Sequence, residues 1–319
     1  MKAITKYSYG GPEVLQLEEI PTVTLGGDDQ VVVQVHANSA NPADWHIMRG
    51  SPYFARFMFG LLRPKVRVLG ADFAGVVTAV GPQVTDFRVG DRVFGECLQG
   101  GAFAEYVTLP QHGLGCMPDS SSFTEMAALP IAGLTALQAI VREGKVQAGE
   151  KVLINGASGG VGHLAVQMAK AQGAEVTGVC SSRNKEFVLT LGADQVIAYD
   201  EVSIHQLAGS YDLILDTIGN LYLSDYVRLG RRGVVIGFTT LGHMASVSLK
   251  NMVRRYPLIQ FTAHANTADL NTLAEMYREG KLRPHIDKEY PYTEIPQAIG
   301  YIEAMRTRGK VVMSWEGIN

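Results

Sequence analysis

The chain has 319 residues, of which 46% are apolar and 18% charged, a length for about two domains and a composition that excludes disorder as the main state. Its 28 Lys plus Arg against 31 Asp plus Glu leave a net charge of -3, so no broad positive field is available for a polyanion and nucleic acid is not expected as a partner. The start Met1-Lys2-Ala3-Ile4 lacks the pattern of a secretory leader, no apolar run of about 20 residues predicts a membrane span, and Cys97, Cys116 and Cys180 are too scattered for a disulfide framework. A cytoplasmic protein without a membrane partner is the expectation.

In chain order, the first part to about Val107 reads as β structure. Residues 31–37 and 75–80 alternate with period two, Gly81-Pro82 breaks the second run, and Gly90-Asp91 introduces a further strand at 92–95. Short strands at this spacing predict a barrel or sandwich. From Thr124 to Val141 apolar residues fall at helical spacing, with no turn dipeptide until Gly144, which sets a boundary near Phe123. Apolar runs at 151–155, 175–180, 195–199, 211–216, 233–238 and 259–263 then alternate with helical segments. Such alternation predicts an α/β fold with a doubly wound parallel sheet. Helices at 267–279 and 294–306 and a strand at 310–313 have no evident place in that sheet, and the run 257–262 reads as an edge strand.

The most informative stretch runs from Lys151 to Gly162. A short apolar strand leads into Gly156-Ala157-Ser158-Gly159-Gly160-Val161-Gly162, and a helical run follows. Strand, glycine turn and helix in that order suit a dinucleotide, because its pyrophosphate must lie against bare backbone N–H groups at a helix N-terminus. Gly156, Ser158, Gly159, Gly160, Val161 and Gly162 are the expected cradle. The end of the next strand selects the cofactor. An acidic residue there would bind the ribose hydroxyls of NAD, but Cys180 is followed by Ser181-Ser182-Arg183-Asn184-Lys185. Ser181, Arg183 and Asn184 suit the 2′-phosphate of NADP, and NADPH is the expected cofactor.

The motifs Asn41-Pro42-Ala43-Asp44, Gly70-Ala71-Asp72-Phe73-Ala74-Gly75, Val89-Gly90-Asp91-Arg92-Val93, Ala132-Gly133-Leu134-Thr135-Ala136, the glycine loop, Leu191-Gly192-Ala193-Asp194 and Gly309-Lys310-Val311-Val312 occur in this order. Together they make the chain resemble the medium-chain dehydrogenase/reductase superfamily, in its zinc-independent quinone oxidoreductase or ζ-crystallin branch. The resemblance implies a GroES-like β-barrel catalytic domain from residues 1–122 and 266–319, a Rossmann NADP-binding domain from 123–265, a small-molecule substrate and a homodimer. It also implies that Asn41 and Thr135 face the nicotinamide end, that Tyr199 packs near the adenosine end, that the backbone at Phe238 holds the carboxamide, and that Lys310 is among the cofactor-binding residues.

The same comparison marks departures. Zinc members of the superfamily place Cys at the position of Asn41, His at that of Ala71 and His or Cys at that of Ile131, and an amide, a methyl and a sec-butyl group do not make the N/S shell that zinc requires. No metal is expected. Hydride transfer to a quinone or an α,β-unsaturated carbonyl is the implied chemistry. The aromatic-rich segment 50–62, with Tyr53, Phe54, Phe57, Met58 and Phe59, reads as an active-site wall, with Trp45 and His46 beside it. Related enoyl-thioester reductases carry a proton-donating Tyr near the position of Tyr53. Two alternatives stay open: an enoyl-thioester reductase with Arg63, Lys65 and Arg67 at a carrier phosphate, and a non-catalytic NADPH-binding protein.

Overall fold

The computed structural model describes residues 1–53, 56–98 and 100–315. Phe54 and the side chain of Met58, both expected in the aromatic wall, lie outside the described residues. The chain divides into two compact units, one of residues 1–131, 265–279 and 284–319, the other of residues 132–264 and 280–283.

The first unit begins with strands β1 (Lys2–Thr5), β2 (Gln16–Glu19), β3 (Gln30–Ala40), β4 (Asp72–Val80), β5 (Arg92–Glu96), β6 (Tyr106–Pro110) and β7 (Leu114–Cys116). The second unit contributes β8 (Lys151–Asn155), β9 (Glu175–Cys180), β10 (Gln195–Ala198), β11 (Tyr211–Asp216), β12 (Gly230–Val235) and β13 (Leu258–Gln260), and the chain then returns with β14 (Ile286–Pro291) and β15 (Lys310–Ser314).

In the first unit, seven strands share one sheet in the order β14-β15-β3-β4-β5-β7, with β6 also paired to β3. Period two in β3 turns Val31, Val33 and Val35 into a core with Phe73, Val93, Phe103 and Leu114, against which Ile295 and Ile299 of the helix Ile295–Glu303 also pack. The late segment without a place in the parallel sheet has one here. Strand β15 lies inside this sheet, parallel to β14 and antiparallel to β3.

The second unit holds a six-stranded parallel sheet in the order β10-β9-β8-β11-β12-β13. Strand order reverses between β8 and β11. In open α/β sheets such a switch point marks the ligand crevice, outside the carboxyl ends of the strands. Among the described residues strand β13 is an edge, paired only with β12.

Four expectations shift. The helical stretch 124–141 is broken into the helices Phe123–Ala127 and Pro130–Leu137 and a π-type segment over Gln138–Glu143, since Pro130 lacks an N–H and suits the first turn of a new helix. The helix Phe123–Ala127 packs on β3, β4, β5 and β15, so the division falls after Ile131 rather than before Phe123. Residues 280–283 join the second unit, where the Gln167 side chain bonds Arg283 N–H and carbonyl at 2.8 and 2.9 Å. The strand expected at 233–238 ends at Val235, because its neighbour β11 ends at Asp216, whose carbonyl takes the last bond of the pair from Ile236 N–H.

Candidate active site

In the second unit the chain leaves β8 through Gly156 at φ +86°, where a β-carbon would stand 2.3 Å from Thr217 Oγ1. At Gly162 a β-carbon would stand 2.1 Å from the Gly156 carbonyl oxygen, so both positions require glycine for the turn itself. Gly159 differs: a β-carbon there would meet only the Gly156 carbonyl oxygen, at 3.5 Å. The room above it is what a β-carbon would take from a bound group. The ten-residue helix Gly162–Ala171 starts here with Val161 at its N-cap and no side-chain cap, leaving its positive end for an anion. This cradle fits a dinucleotide pyrophosphate. His163, fully buried on the first turn, has Nδ1 3.0 Å from the Gly159 carbonyl oxygen and stiffens the loop from below.

Across the switch point, the buried Asp216 carboxylate accepts from Asn155 Nδ2 at 2.8 Å, Gly219 N–H at 2.8 Å, Ile218 N–H at 3.0 Å and the Tyr226 hydroxyl at 2.9 Å. These bonds tie the loop after β11 to the end of β8. Thr135 is buried on the helix Pro130–Leu137. Phe238 is half-buried after β12, its ring 5.7 Å from that of His243.

The end of β9 carries the expected 2′-phosphate residues, with an addition. Ser181 and Asn184 are buried and Arg183 is exposed. Asn184 Nδ2 donates to Ser158 Oγ at 3.1 Å, joining this segment to the glycine loop. Tyr199 is 58% exposed, its N–H bonded to the Cys180 carbonyl at 2.9 Å. The addition is acidic. Asp200 accepts from Ser182 N–H at 2.8 Å and from Ser182 Oγ at 2.7 Å, and Glu201 pairs with Lys185 at 2.5 Å. The end of β9 itself carries no acid. The available signal was that residues following β10 run beside those following β9 in a parallel pair.

In the first unit a buried polar cluster surrounds Asn41, which precedes the helix Pro42–Arg49 and whose N–H donates to Asp44 Oδ2 at 2.8 Å. Asn41 Nδ2 donates to Asp72 Oδ2 at 2.8 Å, and its Oδ1 accepts from the Lys310 ammonium. The same Asp72 oxygen accepts from Ser39 Oγ at 2.8 Å and Lys310 Nζ at 3.2 Å, while Asp72 Oδ1 accepts from Ile131 N–H at 2.9 Å. Lys310, grouped by resemblance with the cofactor-binding residues, therefore directs its ammonium into this cluster at 3% exposure.

Opposite Asp72 in the β4–β5 register stands Glu96. Burial, with the Asp72 charge adding to it, pushes the Glu96 carboxyl up to about 8. Burial likewise raises Asp44 to about 7, against the lowering effect of the Asn41 N–H.

Tyr53 and Phe57 are 76% and 75% exposed, with the Arg56 guanidinium 4.7 Å from the Tyr53 ring centroid. Phe59 packs against the first unit's core. Trp45 also packs there and stacks on His46 at 3.7 Å, and His46 Nδ1 lies 3.0 Å from the Ser51 carbonyl oxygen.

Residues 27–119 match the profile of the alcohol dehydrogenase GroES-like domain, and residues 191–313 that of zinc-binding dehydrogenases. The second description implies a metal, which the donor set here does not fit. Asn41 spends its amide on Asp72 and Lys310, Ala71 and Ile131 offer only hydrocarbon side chains, and no group of three or more His, Cys, Asp or Glu among the described residues is arranged to hold a metal ion.

Human quinone oxidoreductase is 31% identical over 98% of this chain and 97% of its own. The human mitochondrial NAD(P)H oxidoreductase RTN4IP1 is 30% identical over 96% of this chain and 87% of its own. The solved structure of the quinone oxidoreductase from Coxiella burnetii superimposes with a TM-score of 0.89 at 32% identity, covering 98% of this chain and 99% of that one. The glycine cradle at the switch point and the seven-stranded unit thus accompany likeness along nearly the whole chain, and the protein is an oxidoreductase belonging to the medium-chain dehydrogenase/reductase superfamily, in its quinone oxidoreductase branch.

Proposed function

We propose that this chain is an NADPH-dependent reductase of quinones and α,β-unsaturated carbonyls that works without zinc. The observation that carries the reading is the glycine cradle below an uncapped helix, joined through Ser158 and Asn184 to a strand end bearing Ser181 and the exposed Arg183. When bound, the reduced nicotinamide supplies the hydride. The loop from Gly156 through Gly159, Gly160 and Val161 to Gly162 receives the pyrophosphate. Arg183 and Asn184 receive the 2′-phosphate, Tyr199 covers the adenosine end, and the Phe238 backbone holds the carboxamide.

Asn41 and Thr135 are assigned to the nicotinamide end. Lys310 and Asp72 engage both ends of the Asn41 amide and fix its orientation, so Asn41 meets that end as a preset surface. Tyr53, exposed as it is, is the assigned proton donor for enone reduction. A quinone needs less help, since its product oxygens protonate readily from water.

We assign the protein to the cytoplasm and to a homodimer formed through the free edge of β13. No helix among the described residues is long and apolar enough to cross a membrane. The test is NADPH consumption across quinones, aryl enones, enoyl thioesters and saturated aldehydes. Quinones and aryl enones should be reduced far faster than saturated aldehydes, whose carbonyls need an electrophile. Binding of NADPH with no turnover on any acceptor, or a preference for saturated aldehydes, would overturn the reading.

A further inference from the structure

Parallel pairing of β10 on β9 sets Ala198 beside Cys180, so the residues that follow each strand run alongside one another. Asp200 thereby reaches Ser182. One carboxylate oxygen accepts the Ser182 N–H at 2.8 Å and the other accepts the Ser182 hydroxyl at 2.7 Å. A backbone N–H and a hydroxyl converging on one anion are what a phosphate monoester seeks at this strand end. Here the anion is the protein's own. Those two bonds hold the Asp200 carboxyl below the usual carboxylate range, so it stays charged at neutral pH. The neighbouring cation is engaged in the same way, Lys185 lying 2.5 Å from Glu201.

We propose that Asp200 is a specificity-determining residue, an internal carboxylate that occupies the Ser182 donors and that the 2′-phosphate of NADP must displace, whereas NAD leaves it in place. The inference rests on the nicotinamide-cofactor reading and limits its NADPH preference. Arg183 and Asn184 attract the 2′-phosphate, and Asp200 opposes it by repulsion and by holding two of its donors. The outcome is a preference for NADPH that is weaker than Arg183 and Asn184 alone would give. An acid in this role escapes a search confined to the end of β9, because it arrives from the neighbouring strand.

The test is direct binding by titration calorimetry of NADP+, NAD+ and 2′,5′-ADP to wild type, Asp200→Asn and Asp200→Ser, with thermal unfolding to check the fold. Removing the carboxylate should tighten NADP+ and 2′,5′-ADP by about tenfold and leave NAD+ unchanged or weaker. The gain should shrink at high salt, because the groups lie at the surface. Equal affinity changes for NADP+ and NAD+, or unchanged discrimination with a lowered unfolding temperature, would make Asp200 a mere brace of the turn Ser182–Asn184 and overturn the proposal. If wild type binds neither dinucleotide, the underlying cofactor reading fails instead, and the two failures are told apart by the NAD+ titration of wild type.

Discussion

The Lys310 ammonium lies 3.2 Å from a carboxylate oxygen of Asp72, and both side chains are buried, with 3% and 0% of their surface exposed. The two residues come from strands separated by β3, and Asn41, just past the end of β3, bridges them through its amide. An internal cation thus stands among the positions where zinc relatives are expected to carry metal ligands. Its partners Asn41 and Asp72 neutralise and orient it, whereas three histidines or cysteines would invite a metal.

Breaking that pair should be costly. Lys310→Met leaves the Asp72 charge buried with only Ser39, Asn41 and the Ile131 N–H to satisfy it, and should destabilise the protein by about 3 kcal/mol. Lys310→Met combined with Asp72→Asn should recover part of the loss. Urea denaturation of the single and double variants checks this, and a single variant as stable as wild type would refute the pairing.

The raised acids predict a pH dependence of stability. Glu96 is held neutral up to about 8 against a usual value of 4.5. The folded state therefore binds more protons than the unfolded state across that window, and stability is fully present below it and falls as pH rises through it. Asp44, raised to about 7, adds to the decline at its lower end. Glu96→Gln removes one ionisation, so the variant should match wild type below about pH 4.5 and become the more stable of the two as pH rises to about 8. Unfolding midpoints measured over this range decide it; parallel curves would rule out Glu96 as a contributor.

Cofactor choice should respond to Arg183. Loss of a charge-assisted bond to the 2′-phosphate is worth about 1.5–3 kcal/mol, so Arg183→Glu should cut the ratio of NADPH to NADH efficiency by at least ~10-fold. The ratio of kcat/KM values for the two cofactors reports it, and an unaltered ratio would free Arg183 from the 2′-phosphate.

Chelators should leave turnover unchanged, because the donor set at Asn41, Ala71 and Ile131 does not suit zinc. Elemental analysis alongside an EDTA titration checks this; stoichiometric zinc whose removal abolishes activity would contradict it.

Tyr53→Phe should slow enone reduction, which loses its proton donor, while quinone reduction changes little. Steady-state rates on one substrate of each kind separate the cases. Equal loss on both would make Tyr53 a surface packing residue beside Arg56.

What could be read in the sequence was what short stretches decide alone. Strands β9 and β11 coincide with their apolar runs, because a parallel strand buried on both faces needs a continuous one. The glycine loop was legible for a similar reason: a left-handed turn and bare N–H groups are properties of the few residues that make them. Tertiary structure decided the rest. It brought Lys310 to Asp72 across 238 positions and to Asn41 across 269, put β15 inside the first sheet, and set Asp200 on Ser182 from a neighbouring strand. These pairings follow from strand order and register, which arise when distant apolar faces are buried together, and a buried charge then takes whatever partner that packing brings within reach.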